Sequence, residues 1–230
     1  MSVKKILLLG AAGIAAVGMT AAMAGGFTHE PASVDDSGYY VEGHAGYASQ
    51  NYYDNSRWFA AGAGFRTNRN NHAFGGFSGG ADAGYKINRD FAVELGWFHL
   101  PDVNTMTTGL AQSYLTSWVL YLAGKYMMPL PWMNNTDVFF KLGVAFRRAD
   151  LGAAAVAATG LNTRASRSSF VRPTFATGLD YSFSDAWSGI IQYAYFMGAN
   201  NSFPLVAGTG SLGTVAANVF TLGLGYKFTL

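Results

Sequence analysis

Beyond residue 24, the apolar residues of this chain recur at every second position and never gather into a run long enough for a membrane-crossing helix. Between positions 77 and 87, Phe77, Ala81, Ala83, Tyr85 and Ile87 share one face, while Ser78, Asp82 and Lys86 take the other. After Asn88-Arg89-Asp90 the alternation resumes: Phe91, Val93, Leu95 and Trp97 fall on one side, and Ala92, Glu94 and Gly96 on the opposite side. Two alternating stretches around a short Asn/Asp turn read as a β-hairpin. The same grammar recurs at 170–183, Ser184-Asp185-Ala186 and 187–197.

The character of the two faces decides between solvents. A soluble barrel or sandwich hides a small apolar face and shows charge to water. Here the apolar faces are large and aromatic, and the opposite faces hold glycine, alanine and single charges. In lipid the rule inverts: the outside must be apolar and the lumen takes the polar residues. Backbone groups in hydrocarbon also need complete pairing, which for strands means a closed barrel. Eight stretches are long enough to span: 39–49, 77–87, 91–100, 114–127, 138–148, 170–183, 187–197 and 218–228. The expected fold class is therefore all-β, a membrane-spanning up-and-down antiparallel β-barrel of eight strands.

The first 24 residues are expected to be removed. Lys4 and Lys5 form a basic region, 6–17 is apolar, and Ala22-Met23-Ala24 offers small residues for cleavage after Ala24. The alternative, a retained helix, needs a longer apolar run and stop-transfer charges. The organisation read from this is a signal peptide at 1–24, a leader at 25–38 and a barrel at 39–230. Lys4 and Lys5 account for the whole formal net charge of +2; the other 13 basic residues balance 13 acids, so nothing points to nucleic acid. The chain has no cysteine, hence neither a lipoprotein anchor nor a disulfide framework.

Topology follows from a second regularity. The second, fourth, sixth and eighth stretches end in tyrosine, a spacer and an apolar residue: Tyr85-Lys86-Ile87, Tyr126-Met127-Met128, Tyr181-Ser182-Phe183 and Tyr226-Lys227-Phe228. Short connections follow the first three, whereas 50–76, 101–113, 149–169 and 198–217 are long. Short turns on one rim and long loops on the other place the turns, and with them both termini, in the periplasm. Tyr85, Tyr126, Tyr181, Tyr226 and Phe228, with Trp187 and Trp132 beside them, are then the lower aromatic girdle, and Trp97 and Trp118 belong to an upper one.

At this point the stretch 79–98, GGADAGYKINRDFAVELGWF, resembles an inner hairpin of the small outer-membrane barrels of the OmpA/OmpX type, and Gly223-Leu224-Gly225-Tyr226-Lys227-Phe228 resembles their closing strand. The likeness runs from about Tyr39 to the C-terminus. It departs at Phe228-Thr229-Leu230, where the family's insertion signal usually ends on an aromatic residue, and no peptidoglycan-binding segment follows. The resemblance implies an integral bacterial outer-membrane barrel. It would lie among outer-membrane lipids and lipopolysaccharide, after handling by periplasmic chaperones and the barrel-assembly machinery.

Alternation directs Glu42, His44, Asp82, Lys86, Glu94, Lys125, Lys141, Arg147, Arg172, Asp180, Gln192 and Lys227 into the lumen. An eight-stranded barrel is just wide enough for side chains to fill. These charges are expected to pair across it and close it, since an unpaired buried charge costs several kcal/mol. The alternative is a gate or narrow pore. For catalysis, His99 with Ser113 or Ser117 and Asp102 is the one conceivable triad, but a nucleophile, base and orienting acid would have to converge. Nothing signals a cofactor or metal site. In loop 50–76, Tyr52, Tyr53, Arg57, Trp58, Phe59, Arg66, Arg69 and His72 form a candidate recognition surface or, equally, a loop folded onto the barrel mouth or the lipid headgroups, and the last two long loops, rich in Ala, Gly, Ser and Thr, read as flexible. The leading functional expectation is a non-enzymatic membrane scaffold that displays surface loops for adhesion or host contact. A narrow porin is the runner-up, and a lipid-modifying enzyme a distant third.

Overall fold

The computed structural model describes residues 37–52, 65–67, 74–107, 113–152, 166–204 and 211–228. The signal segment 1–24, most of the leader, and Tyr53, Arg57, Trp58, Phe59, Arg69 and His72 of the first loop lie outside them. Eleven strands follow in order: β1 Gly38–Ser49, β2 Phe65–Thr67, β3 Gly75–Lys86, β4 Phe91–Thr107, β5 Ser113–Pro129, β6 Thr136–Leu151, β7 Arg167–Ser182, β8 Trp187–Phe196, β9 Ala199–Pro204, β10 Ser211–Thr214 and β11 Ala217–Lys227.

Eight of these close an antiparallel barrel in the order β4-β3-β1-β11-β8-β7-β6-β5, with β4 pairing back to β5. The seam joins the first and last strands, with Tyr40 opposite Lys227 and Ser49 opposite Asn218. Closure pairs every barrel strand on both sides, as hydrocarbon demands, and the taller strands run on past their shorter neighbours towards the loop rim. At the turn rim, Asn88 Oδ1 accepts the backbone N–H groups of Asp90 and Phe91, both at 2.9 Å. Ser184 Oγ accepts that of Trp187 at 3.0 Å. Short polar side chains that stand in for a backbone acceptor are what make such tight turns.

The outer wall is apolar and exposed, with Leu95, Leu142, Leu222 and Phe77 at 52, 62, 66 and 67%. Aromatic side chains ring its turn rim: Tyr39 packs on Tyr85, Phe91 on Tyr126, and Trp187 on Tyr226. Trp118 meets Phe146 towards the loop rim at 5.7 Å between ring centroids. Trp97, opposite Leu120, sits two residues closer to the turns than Trp118.

The wall is not of even height. Strands β4 to β7 have 16 or 17 residues, whereas β1, β3, β8 and β11 have 10 to 12. The expected third strand ended at residue 100, but β4 continues to Thr107 across an irregularity between Leu100 and Val103. Pro101 ends no strand because the bulge takes the residue without an N–H out of the ladder. The last loop also departs from expectation. It is not featureless: β9 and β10 pair in it, and Phe203 and Leu212 are buried.

Candidate functional site

The barrel interior is built as plates stacked along the axis, because each strand sends alternate residues inward at matching heights. Nearest the turn rim Lys86, Asp137, Asp180 and Lys227 are half-buried. Above them Ala92, Met127, Phe139 and Ile190 form an apolar plate with Tyr40 against it.

The next plate is ionic. Glu42, Asp82, Glu94, Lys125 and Lys141 come from five strands and are buried to 4% exposure or less. Lys125 Nζ lies 2.7 Å from Glu42, 3.2 Å from Glu94 and 3.7 Å from Asp180. Lys141 Nζ lies 2.6 Å from Glu94, 3.1 Å from Asp82 and 3.4 Å from Glu42. His44 Nε2 reaches Glu42 at 3.3 Å and Asp82 at 3.2 Å. Two phenols complete the group: Tyr40 donates to Glu94 and Tyr121 to Asp82, each at 2.6 Å. The Phe139 ring lies beneath both ammonium groups, at 4.8 and 5.2 Å, a favourable arrangement for desolvated cations.

Glu42, His44 and Asp82 also bring three potential metal-ligating atoms within 4.8 Å of one another. The same carboxylates accept from Lys141 and Lys125, so ammonium groups already occupy the place of a cation. The donor set is that of an ion-pair plate.

Above it lies a second apolar plate, which includes Ala48, Phe98, Leu100, Val119, Tyr121, Phe196 and Val219. The void bordered by Tyr121, Lys141, Thr174 and Phe196 measures about 10 Å³, at the lower limit for one water molecule. A larger groove of about 560 Å³ lies on the lipid-facing wall, against Ala45, Tyr47, Ile191, Phe220 and Leu222.

Arg147, 1% exposed, forms the next polar level. It donates to Val215 O and Gln50 Oε1, both at 2.6 Å, and to Ser117 Oγ at 3.5 Å. It thus fastens the first and last loops to the wall without a carboxylate. Tyr52, Val103, Leu115, Leu151, Phe203 and Leu212 cap the whole stack. Of the two expectations for its loop, a recognition surface or a segment folded onto the barrel mouth, Tyr52 follows the second: it is fully buried. Burial pushes its phenol above the ordinary range, against the pull of the Arg147 guanidinium.

Glu42, His44, Asp82, Glu94, Lys125 and Lys141 therefore converge, and Asp180 touches them from the rim. Lys86 and Lys227 stay at the turn rim, and Arg147 belongs to a separate level. Arg172 is a correction: it is exposed. The ladder between β7 and β8 starts only at Thr174, so Arg172 stands where the wall has no neighbour on that side. Charge, which the sequence reading took as the filler of the lumen, shares that role with large apolar side chains. Phe98, Phe139, Phe196 and Tyr121 share the inward parity of Glu94, Lys141, Gln192 and Lys125, a signal available in the alternation itself. Glycines beside them make the room: a Cβ on Gly178 would collide with the Phe139 ring, and one on Gly96 with Tyr121 and Asp82; one on Gly84 would likewise meet the Tyr40 ring. Of the conceivable triad, the version with Ser117 is broken by the same parity, while the side chain of Ser113 lies outside the described residues. Leu100, not His99, is opposite Ser117, so His99 faces outward while Ser117 is buried inside.

A family model described as an OmpA-like transmembrane domain matches residues 34–230. No curated protein matches the chain. Among solved structures, Neisserial surface protein A is similar with a TM-score of 0.51 and 14% identity, over 84% of this chain and 99% of that one. OprG from Pseudomonas aeruginosa gives 0.47 and 16%, over 84% and 97%. Ail of Yersinia pestis, crystallised with the heparin analogue sucrose octasulfate, gives 0.46 and 11%, over 83% and 99%.

Proposed function

The chain belongs to the OmpA-like transmembrane domain family and is an integral barrel of the bacterial outer membrane; from this premise we propose that it is a closed, non-enzymatic scaffold that stabilises that membrane and carries its long loops outside the cell for contact with surfaces or host molecules. The observation that carries the reading is the filled interior. Three apolar plates alternate with an ionic plate and the Arg147 level from one rim to the other. An ion crossing it would shed its hydration at each apolar level, at a cost that no polar lining offsets.

In this reading the turn rim and both termini are periplasmic, the loop rim is extracellular, and assembly proceeds through periplasmic chaperones and the barrel-assembly machinery. Loop 50–76 is the leading candidate for ligand contact, through residues beyond the buried Tyr52. The outward direction of His99, away from Ser117, supports the assignment of no enzymatic activity. Planar-bilayer recording on the purified protein tests the proposal. Long closed records with at most rare, brief openings are expected. A steady unitary conductance would refute the closed scaffold and establish a narrow porin.

A further inference from the structure

Among the described side chains of the eight barrel strands, outward charge gathers in one place. Apart from Asp102 in the β4 bulge, the acidic, Lys and Arg side chains that these strands direct outward are Arg148 and Asp150 on β6 and Arg167 on β7. They are neighbours: Asp150 accepts from Arg148 Nε at 3.0 Å and from Arg167 Nε at 2.6 Å. Two guanidinium groups on one carboxylate leave a net positive charge. Both arginines spend Nε on Asp150, and their Nη nitrogens meet no acceptor among the described residues. The exposed edge is a pair of planar donor forks, the geometry that matches a phosphate.

Their height gives the second part of the argument. From Val138 at the turn end of β6 to Arg148 is ten residues, roughly 33 Å along a strand and about 25 Å along the axis of a barrel tilted by 35–45°. That is the full height of an outer-membrane apolar band. Arg148 therefore stands at its upper edge, opposite Trp118, and Arg167, paired with Asp150, stands one step beyond. Towards the loop rim of the other strands the outward positions are Tyr47, Phe77, Tyr195 and Phe220. Charge is thus confined to one side, above the apolar column of Phe140, Leu142 and Val144.

We propose that Arg148 and Arg167, oriented by Asp150, bind the phosphate of an anionic glycolipid of the outer leaflet, whose acyl chains run down that column. The site rests on the orientation given under Proposed function, with the loop rim outside. An exposed ion network alone contributes little to stability, whereas a phosphate between two arginine forks gains charge-assisted hydrogen bonds at a surface partly shielded from water.

The test uses the full-length protein in nanodiscs of phosphatidylcholine, alone or with either lipid A or phosphatidylglycerol, and reads retained lipid by native mass spectrometry. Wild type is expected to retain lipid A in preference to phosphatidylglycerol. R148Q/R167Q is expected to retain it roughly tenfold less, and R148K/R167K, which keeps charge but not the forks, an intermediate amount. D150N, which adds a unit of net positive charge, is expected to raise retention; a purely structural ion network predicts no gain. Thermal unfolding in phosphatidylcholine alone confirms that each variant is folded. Unchanged retention in R148Q/R167Q overturns the site. Equal retention of phosphatidylglycerol overturns the glycolipid, and protection by inorganic phosphate in detergent equal to that by lipid A overturns a lipid source. Labelling of a cysteine at Asn201 on intact cells reads the orientation separately.

Discussion

Lys141→Met is expected to be among the most damaging single substitutions inside the barrel, and the damage should be relieved by a second substitution that removes an acid. Lys141 Nζ lies within 3.4 Å of three carboxylates, those of Glu94, Asp82 and Glu42. At an effective dielectric near 20, each such contact is worth roughly 5 kcal/mol of gross attraction, most of it offset by desolvation. The useful quantity is the balance left behind. Three buried acids face Lys125 and Lys141, with His44 Nε2 between two of them. Lys141→Met removes one positive charge from this plate and strands carboxylates, at a cost of about 3–5 kcal/mol. Glu94→Gln removes one negative charge, and the amide oxygen left at that position can still accept from Tyr40, so the cost should be about 1–2 kcal/mol. The double variant restores the original balance and should be no less stable than Lys141→Met alone. The coupling energy from the cycle should then exceed about 1 kcal/mol, well outside the scatter of independent sites. Equilibrium urea unfolding in lipid vesicles, followed by tryptophan fluorescence, supplies the four free energies. Additivity, or a Glu94→Gln cost equal to that of Lys141→Met, would refute the charge-balance argument.

Other expectations follow from the same frame. Leu95→Arg, on the lipid face at 52% exposure, should destabilise the barrel by about 2–4 kcal/mol in vesicles, and a variant as stable as wild type would mean that inside and outside are reversed. Gly96→Val, which drives a side chain into Tyr121 and Asp82, should cost about 1–3 kcal/mol or more by overpacking, measured by the same unfolding assay. A cysteine at Asn201 should react with an impermeant maleimide on intact cells, whereas cysteines at Asn88 and Asn134 should react only after the outer membrane is opened. Arg147→Met should free the first and last loops from the wall, seen as faster amide exchange around Gln50 and Val215 with little change at Phe139.

Much of this protein is legible in its sequence, because the barrel obeys a local rule. Alternation with period two, read at Phe77 to Ile87 or Phe91 to Trp97, already separates lumen from lipid. The tyrosines at the ends of alternate strands already distinguish one rim from the other. Those signals depend only on a residue and its near neighbours, and the medium enforces them: an outward charge in hydrocarbon is too costly to tolerate, and a broken alternation would put one there. Which inward residues meet, however, depends on the register of eight strands around a closed wall. Glu42, Asp82, Glu94, Lys125 and Lys141 share a level because Glu42 is opposite Asp82 and Lys125 opposite Lys141, while Arg147, of the same parity, lies three inward steps above Lys141 and finds no acid. The height of the wall was equally hidden. The extension of β4 to Thr107 and the β9–β10 hairpin arise because a tall half-wall leaves apolar inward residues such as Val103 and Leu115 that need covering, and Phe203 and Leu212 from a loop of bland composition cover them. Parity is a property of the chain; level, closure and the cap are properties of the assembled barrel, since they join residues far apart in sequence, as Tyr40 and Lys227 are at the seam.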